Sequence, residues 1–431
     1  MSPRAPTPLL FTYMTAANLA APVVLRQVTR GLARAGVDAA RLGERAGRAT
    51  LARPEGRLVW LHGASVGEGL SLLPLAGALR AEGAGVLLTT GTAAAAEILP
   101  GRLPEGALHQ FAPLDAAWPL RRFLKHWRPD AVAFAESEIW PQTILRLQAE
   151  GVPLALVNAR MSARSAARWA KRPATARALF SAFGLVAAQG EEMAARLAAL
   201  RGGDAEGAAV FDGGDAKAAA APPPVDEKVL AALRAALGGR PVWAAVSTHP
   251  GEEAAVLAAH RQVLAAQPDT LLILVPRHPE RGEDVARLAR GLTLARRSSG
   301  ESMAAAVYLA DSLGETGLWF RLAGPVFLGG SLVEVGGHNP WEPAQLGRGV
   351  LHGPHVANAA GAYAALGAVG AAEEVTAEGL GAAVLRGLAG GGPDGAAALS
   401  VAEGAGRAFA AGLARQVDFL MGGGGVKTDT A

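Results

Sequence analysis

The sequence predicts an α/β protein of two doubly wound, Rossmann-like domains with a cleft between them, preceded by a membrane-associating helix. Three observations carry this. Short continuous apolar runs alternate with helical stretches, the pattern of parallel strands covered on both faces. The alternation breaks once, at GGDAKAAAAPPPVDEK (213–228), whose alanines and three consecutive prolines read as a linker. Near the start, Ala5 to Leu25 is uncharged and flanked by Arg4 and Arg26. The expected domains are an N-terminal segment 1–50, a first domain 51–220, a second domain 221–421 and a frayed tail 422–431.

In the first half the strand candidates are LVWL (58–61), VLLTT (86–90), VAFA (132–135), PLALVN (153–158) and LVAAQ (185–189). After the linker they are VWAAVS (242–247), TLLILVP (270–276), VYLA (307–310), PVFLGG (325–330) and GVLHG (349–353), with a last helix from about Ala396 to Met421. Two such domains of similar size are the arrangement of a GT-B glycosyltransferase. Composition narrows the field further. Of the 431 residues 50% are hydrophobic and 18% charged, so wholesale disorder is excluded. The chain has no cysteine, which rules out disulfides, thiolate nucleophiles and cysteine-bearing zinc sites. Aromatic residues make up only 5%, which argues against a stacking platform for nucleic acid.

Charge is concentrated at the N-terminus. Residues 1–57 hold nine arginines against Asp38, Glu44 and Glu55, a net +6 in a chain of net +3. Arg26, Arg30 and Arg34 recur every four residues and so share one helix face; Arg41, Arg45 and Arg48 are expected to line a second. A basic face beside an uncharged run suits anionic headgroups at the cytoplasmic side of a membrane. Asn18, several threonines and Pro22 dilute the run, so an interfacial anchor is favoured over a spanning helix, a secretory signal or a merely solvated helix.

Ligands of open α/β sheets bind beyond the carboxyl ends of the strands, and polar residues gather there. LVWLHGASVGEG (58–69) leads through small residues to Glu68, either a helix-capping carboxylate or, with His62 nearby, a general base. It lacks the glycine spacing of a dinucleotide fingerprint. FAESEIWPQ (134–142) sets Glu136 and Glu138 at a strand end, where each would raise the other's pKa unless a cation intervenes. VNARMSARS (157–165) adds Asn158, Arg160 and Arg164, a cationic edge suited to phosphate or carboxylate. In the second half, LILVPRHPER (272–281) presents Arg277, His278 and Arg281, and ADSLGET (310–316) presents Gly314 and Glu315. VFLGGSLVEVGGHNPWEPAQLG (326–347) places His338 and Asn339 before Pro340, which is expected to open a phosphate-binding helix, with Glu342 one turn in.

These motifs resemble the 3-deoxy-D-manno-octulosonate (Kdo) transferases of lipopolysaccharide synthesis, along nearly the whole chain. The likeness rests on RLGERAG, HGASVGE, PLD, ESEIWP, NARMSARS, VSTHPGEE, VPRHPER, RRSSGE, DSLGE, GGSLVEVGGHNPWEP and GPH. It implies Glu68 as proton acceptor, with Glu136 and Lys217 as transition-state stabilisers. It implies CMP binding by Pro276 and Arg277, by Leu313, Gly314 and Glu315, and by Asn339, Pro340, Trp341 and Glu342. Three positions depart from the family pattern. Lys217 stands in GDAKAAA, where Asn or Ser usually follows the Gly and Phe-Asp the Lys; Thr316 and Trp341 each replace a leucine.

The resemblance implies transfer of Kdo from a CMP-Kdo donor to a tetraacylated lipid A precursor at the inner membrane. It calls for neither a metal nor a cofactor, and for no nucleic-acid partner. The rivals are a GT-B-fold sugar-nucleotide epimerase, in which the N-terminal segment would be idle, and a non-catalytic lipid- or nucleotide-binding protein.

Overall fold

The computed structural model describes residues 7–202 and 209–422. The first two residues of the uncharged run and the expected tail beyond 422 lie outside them. The described residues up to 216, together with those from 408 onward, form one compact unit, and residues 217–407 form a second.

The first unit is built on β1 (Leu58–His62), β2 (Gly85–Thr90), β3 (Leu108–Phe111), β4 (Ala131–Ala135), β5 (Leu154–Ala159), β6 (Leu185–Ala188) and β7 (Ala209–Asp212). All pair in parallel, in the order β3-β2-β1-β4-β5-β6-β7. Every residue of β1, β2 and β4 is buried, because helices cover both faces. Side chains alternate across the strand. Leu58 and Trp60 of β1 therefore join one apolar layer with Phe123, Trp127 and Phe134, while Val59 and Leu61 join the other with Leu75, Leu79 and Leu99.

The second unit holds β8 (Val242–Thr248), β9 (Leu271–Pro276), β10 (Leu294–Arg296), β11 (Val307–Leu309), β12 (Val326–Leu328), β13 (Val350–His352) and β14 (Ala372–Glu374). Its parallel order is β10-β11-β9-β8-β12-β13-β14. Winding reverses between β1 and β4 in the first sheet and between β8 and β12 in the second. The loops leaving those strands diverge there and open a crevice, the usual ligand position in such sheets.

Two parts of the chain differ from expectation. The last helix, Gly395–Leu420, does not stay with the second unit to residue 421. From residue 408 it belongs to the first, where Leu420 is fully buried in the layer beside β1 and its carbonyl accepts from the Arg57 guanidinium at 2.8 and 3.1 Å. The second basic face is also absent. Residues Ala39–Ala46 form a 3-10 helix in which Arg45 is buried, donates to the Ala112 carbonyl at 2.6 Å, and is lowered by burial to about 10. Arg41 is committed to buried Glu44 at 3.2 Å and lies over the Phe111 ring. The tertiary fold has spent these two charges inside the first unit.

The N-terminal helix Pro8–Arg34 is half docked. Leu10, Ala21 and Leu32 are buried, Tyr13 donates to Asp115 at 3.0 Å, and the Ala117 N–H donates to Asn18 at 2.6 Å. Phe11, Leu19 and Val23 remain exposed, as do Arg26, Arg30 and Arg34. By length and apolarity it is the one candidate membrane helix among the described residues.

Candidate functional site

In the first unit the polar groups gather at the β1/β4 crevice. The turn after β1 is closed by a capping box: the Glu68 N–H donates to Ser65 Oγ at 3.3 Å, while Glu68 Oε2 accepts from the N–H groups of Ala64 at 2.5 Å and Ser65 at 3.2 Å. The capping role is thus observed, and the cap fixes the carboxylate at the strand end without fully burying it. Gly63 permits the arrangement, since a Cβ there would come within 2.9 Å of the Glu68 Cβ.

Glu136 follows β4 with φ +50, a conformation that costs a non-glycine residue of order 1–3 kcal/mol and clusters at functional sites. Its carboxylate pairs with Arg160 Nε at 3.0 Å. Glu138 turns the other way, accepting from Trp140 Nε1 at 2.6 Å and lying 3.5 Å from His62 Nε2. Burial pushes the Glu138 carboxyl up, but His62 and the Trp140 N–H outweigh it and hold it below the ordinary value. Each of the two neighbouring carboxylates has thus been given its own cationic or N–H partner. Asn158, at a register shift in β5, is a second residue held at positive φ (+49) and accepts from Gln189 at 2.6 Å.

The second unit contains a cavity of about 270 Å³ at the β8/β12 crevice, lined by Ser247, Arg277, Thr316, Phe320, Leu328, His338, Asn339 and Glu342. Three predicted residues from two distant motifs, Arg277, Asn339 and Glu342, converge here. Burial raises the Glu342 carboxyl, opposed by a hydrogen bond from Asn339 and the charges of Lys217 and Arg277. Lys217, exposed on the turn Ala216–Ala219, therefore lies with Glu342, and Gln345 fixes that turn by donating to the Ala218 and Ala220 carbonyls at 2.7 Å each.

Other predicted residues stand back from the cavity. Pro276 is buried at the end of β9. Leu313 is exposed and Gly314 takes φ +79. Arg297 first, with Ser312, holds the Glu315 carboxyl below its ordinary value, so its charge is already matched. Trp341 is a core residue, packed with Ala218, Ala344 and Leu366. Pro340 caps rather than opens its helix, and that helix, Trp341–Ala344, is one turn long. One turn sums too few peptide dipoles for a phosphate site.

Several lining residues were not singled out from sequence. Ser247 sits at a register shift in β8 with φ +60, and nothing in VWAAVS signals it. Thr316, which the sequence offered only as a departure from the family's leucine, lines the cavity as well. Glu252, within the quoted VSTHPGEE, is fully buried and accepts from the N–H groups of His249, Gly330, Ser331 and Leu332 at 2.7–3.0 Å. It ties the loops after β8 and β12 together. His249 and His338 then meet edge to edge, Nε2 to Nε2 at 2.9 Å.

Residues 40–217 match the family model described as 3-deoxy-D-manno-octulosonic-acid transferase (kdotransferase). A probable mitochondrial 3-deoxy-D-manno-octulosonic acid transferase of Arabidopsis thaliana is 35% identical over 344 residues, 73% of this chain and 72% of that protein. The 3-deoxy-D-manno-octulosonic acid transferase of Haemophilus influenzae is 35% identical over 327 residues, 74% of this chain and 76% of its own length. Among solved structures, a glycosyltransferase from Rickettsia africae shares the fold, with TM-score 0.56 at 11% identity over 86% of this chain and all of that one. With relatives of this identity and coverage, the chain belongs to the 3-deoxy-D-manno-octulosonic acid transferase family of glycosyltransferases.

Proposed function

We propose that this enzyme transfers Kdo from CMP-Kdo to a hydroxyl of a tetraacylated, bisphosphorylated lipid A precursor and releases CMP, in lipopolysaccharide biosynthesis at the cytoplasmic face of the inner membrane. The observation that carries the donor reading is the cavity of the second unit, where Arg277, Asn339 and Glu342 converge from separate strand ends. Arg277 pairs with the phosphate through charge-assisted hydrogen bonds, and Glu342, half-buried in the cavity wall, accepts from ribose hydroxyls. Contacts from Leu313 to Glu315 come from the backbone, because the Glu315 carboxylate is taken by Arg297.

In the first unit Glu68 takes the proton of the attacking hydroxyl. The N–H groups of Ala64 and Ser65 both donate to Oε2, so Oε1 is the oxygen assigned to the proton. Glu136 stabilises the positive charge that develops at the anomeric carbon, and Lys217 balances charge near the nucleotide. The half-docked helix Pro8–Arg34 supports membrane association: exposed Phe11, Leu19 and Val23 enter the interface, while Arg26, Arg30 and Arg34 meet anionic headgroups.

The test is incubation of the full chain with CMP-Kdo and the tetraacylated precursor in mixed micelles, followed by mass spectrometry of the lipid. A product heavier by one or more Kdo units, with matching CMP release, is expected. Absence of CMP release with these substrates refutes the assignment.

A further inference from the structure

We propose that His249 and His338 act as a hydrogen-bonded pair on the leaving phosphate, taking up one additional proton as that phosphate acquires its second negative charge. The proposal rests on the CMP reading of the cavity above. The two residues come from different loops, after β8 and after β12, and their ring planes lie within 14° of each other with centroids 5.1 Å apart, so the two Nε2 edges point at each other. An Nε2-to-Nε2 approach of 2.9 Å has one chemical meaning: one Nε2 carries a proton and donates, and the other accepts. The fold makes room for it. Gly330 takes φ +67, and a Cβ there would lie 3.0 Å from His338 Cδ2 and 3.4 Å from His249 Cδ2.

The surroundings favour an anion at this pair. Arg277 lines the same cavity as His338, and the His278 ring stands edge-on to His249 at 5.9 Å. From the helix Glu252–Ala266, Glu252 is spent on four backbone N–H groups, and Glu253 pairs with Arg281 at 2.6 Å. From the helix Ala360–Gly367, Tyr363 donates to the His338 carbonyl at 2.9 Å. Glu342, also in the cavity, accepts from Asn339 at 3.4 Å. The nearby carboxylates thus have other donors, whereas Arg277 adds positive potential. Burial, then the neighbouring ring and Arg277, lowers His338 to about 4, and burial lowers His249 as well. Both rings are thus biased toward the neutral form, with one Nε2–H donating to the other Nε2.

Transfer changes that balance. The bond between the anomeric carbon and the phosphate oxygen breaks, and both electrons leave with the oxygen, so a phosphodiester monoanion becomes a phosphomonoester dianion. The proton of the acceptor hydroxyl goes to Glu68. The proton that matches the new phosphate charge comes from water and settles on the imidazole pair. An opposite charge within hydrogen-bond reach favours the protonated form. His249 and His338 would then donate to the dianion beside Arg277.

The test is an NMR pH titration of the imidazole resonances in the full-length protein, alone, with saturating CMP, and with saturating cytidine. Single His249→Gln and His338→Gln variants assign two of the nine histidines. With CMP the midpoints of the pair are expected to rise by about 1–3 units; with cytidine, which lacks the phosphate, they stay. Bound CMP with unmoved midpoints overturns the proposal and leaves the nucleotide reading intact, as does an equal rise with cytidine. Failure of CMP to bind, read from the CMP resonances themselves, overturns the nucleotide reading and the proposal with it.

Discussion

Replacing Glu252 by glutamine tests whether one buried carboxylate holds the nucleotide-side loops in place. The side chain keeps its shape but loses half of its function. In the native protein Oε2 accepts from the His249 and Gly330 N–H groups at 2.9 and 2.7 Å, and Oε1 from those of Ser331 and Leu332 at 3.0 and 2.9 Å. A glutamine oxygen can serve only one of these pairs, so its NH2 faces the other. Two backbone donors lose their acceptor, at about 1–3 kcal/mol each, and the remaining pair loses its charge assistance. The worked cost is about 2–6 kcal/mol. For a unit of this size 1 kcal/mol corresponds to roughly 2–4 °C in Tm, which places the second unit's unfolding roughly 4–24 °C lower. Calorimetry of the full chain should resolve this as an earlier transition, with CMP binding lost as the loops after β8 and β12 separate. A Tm within about 2 °C of the wild type, with CMP binding unchanged, would refute the argument that this carboxylate organises the site.

Three further outcomes follow from the same geometry. Glu68→Gln preserves the capping box, since glutamine serves at that position; CMP binding and Tm should stay near wild type while turnover falls about 10²–10⁴-fold, and wild-type turnover would remove Glu68 from the reaction. Glu138 has a depressed pKa in the fold, so its stabilisation is present above the ordinary carboxylate value of 4.5 and is lost as pH falls below it. Glu138→Gln should accordingly flatten the stability loss of the first unit on acidification in urea melts, and an unchanged slope would contradict the pairing with His62 and Trp140. Deleting residues 1–25 should release part of the protein from anionic vesicles, with high salt releasing more of the truncated form than of the full chain, while CMP still binds; the truncated form staying bound in high salt would locate the anchor elsewhere.

The Kdo-transferase motifs were readable because they sit where a parallel sheet must present them, at the carboxyl ends of strands that are themselves apolar runs. All ten strands expected from apolar runs are present. The four that no run announced, β3, β7, β10 and β14, are the edges of the two sheets. An edge strand is covered on fewer sides, so its residues need not be apolar: β7 and β14 have no fully buried residue, and Glu373 and Glu374 sit within β14. Periodicity therefore finds the centre of such a fold and misses its rim.

The sequence by itself determined the α/β class, the central strands, the N-terminal helix and the motif residues Glu68, Glu136, Arg277, Asn339 and Glu342, because each depends on local pattern or on a motif that is contiguous in the chain. Only the tertiary structure decided which charges are spent and which are available. Arg45 reads as a surface cation, yet the 3-10 turn carries it into the first unit. Glu315 reads as a ligand for the nucleotide, yet Arg297 reaches it first. Positive φ at Glu136, Asn158 and Ser247 marks strand ends whose backbone no local pattern announces. The histidine pair depends on two loops 89 residues apart in sequence. Partners separated by that much chain are set by how the sheet winds, and a one-dimensional pattern carries no record of which strand ends become neighbours.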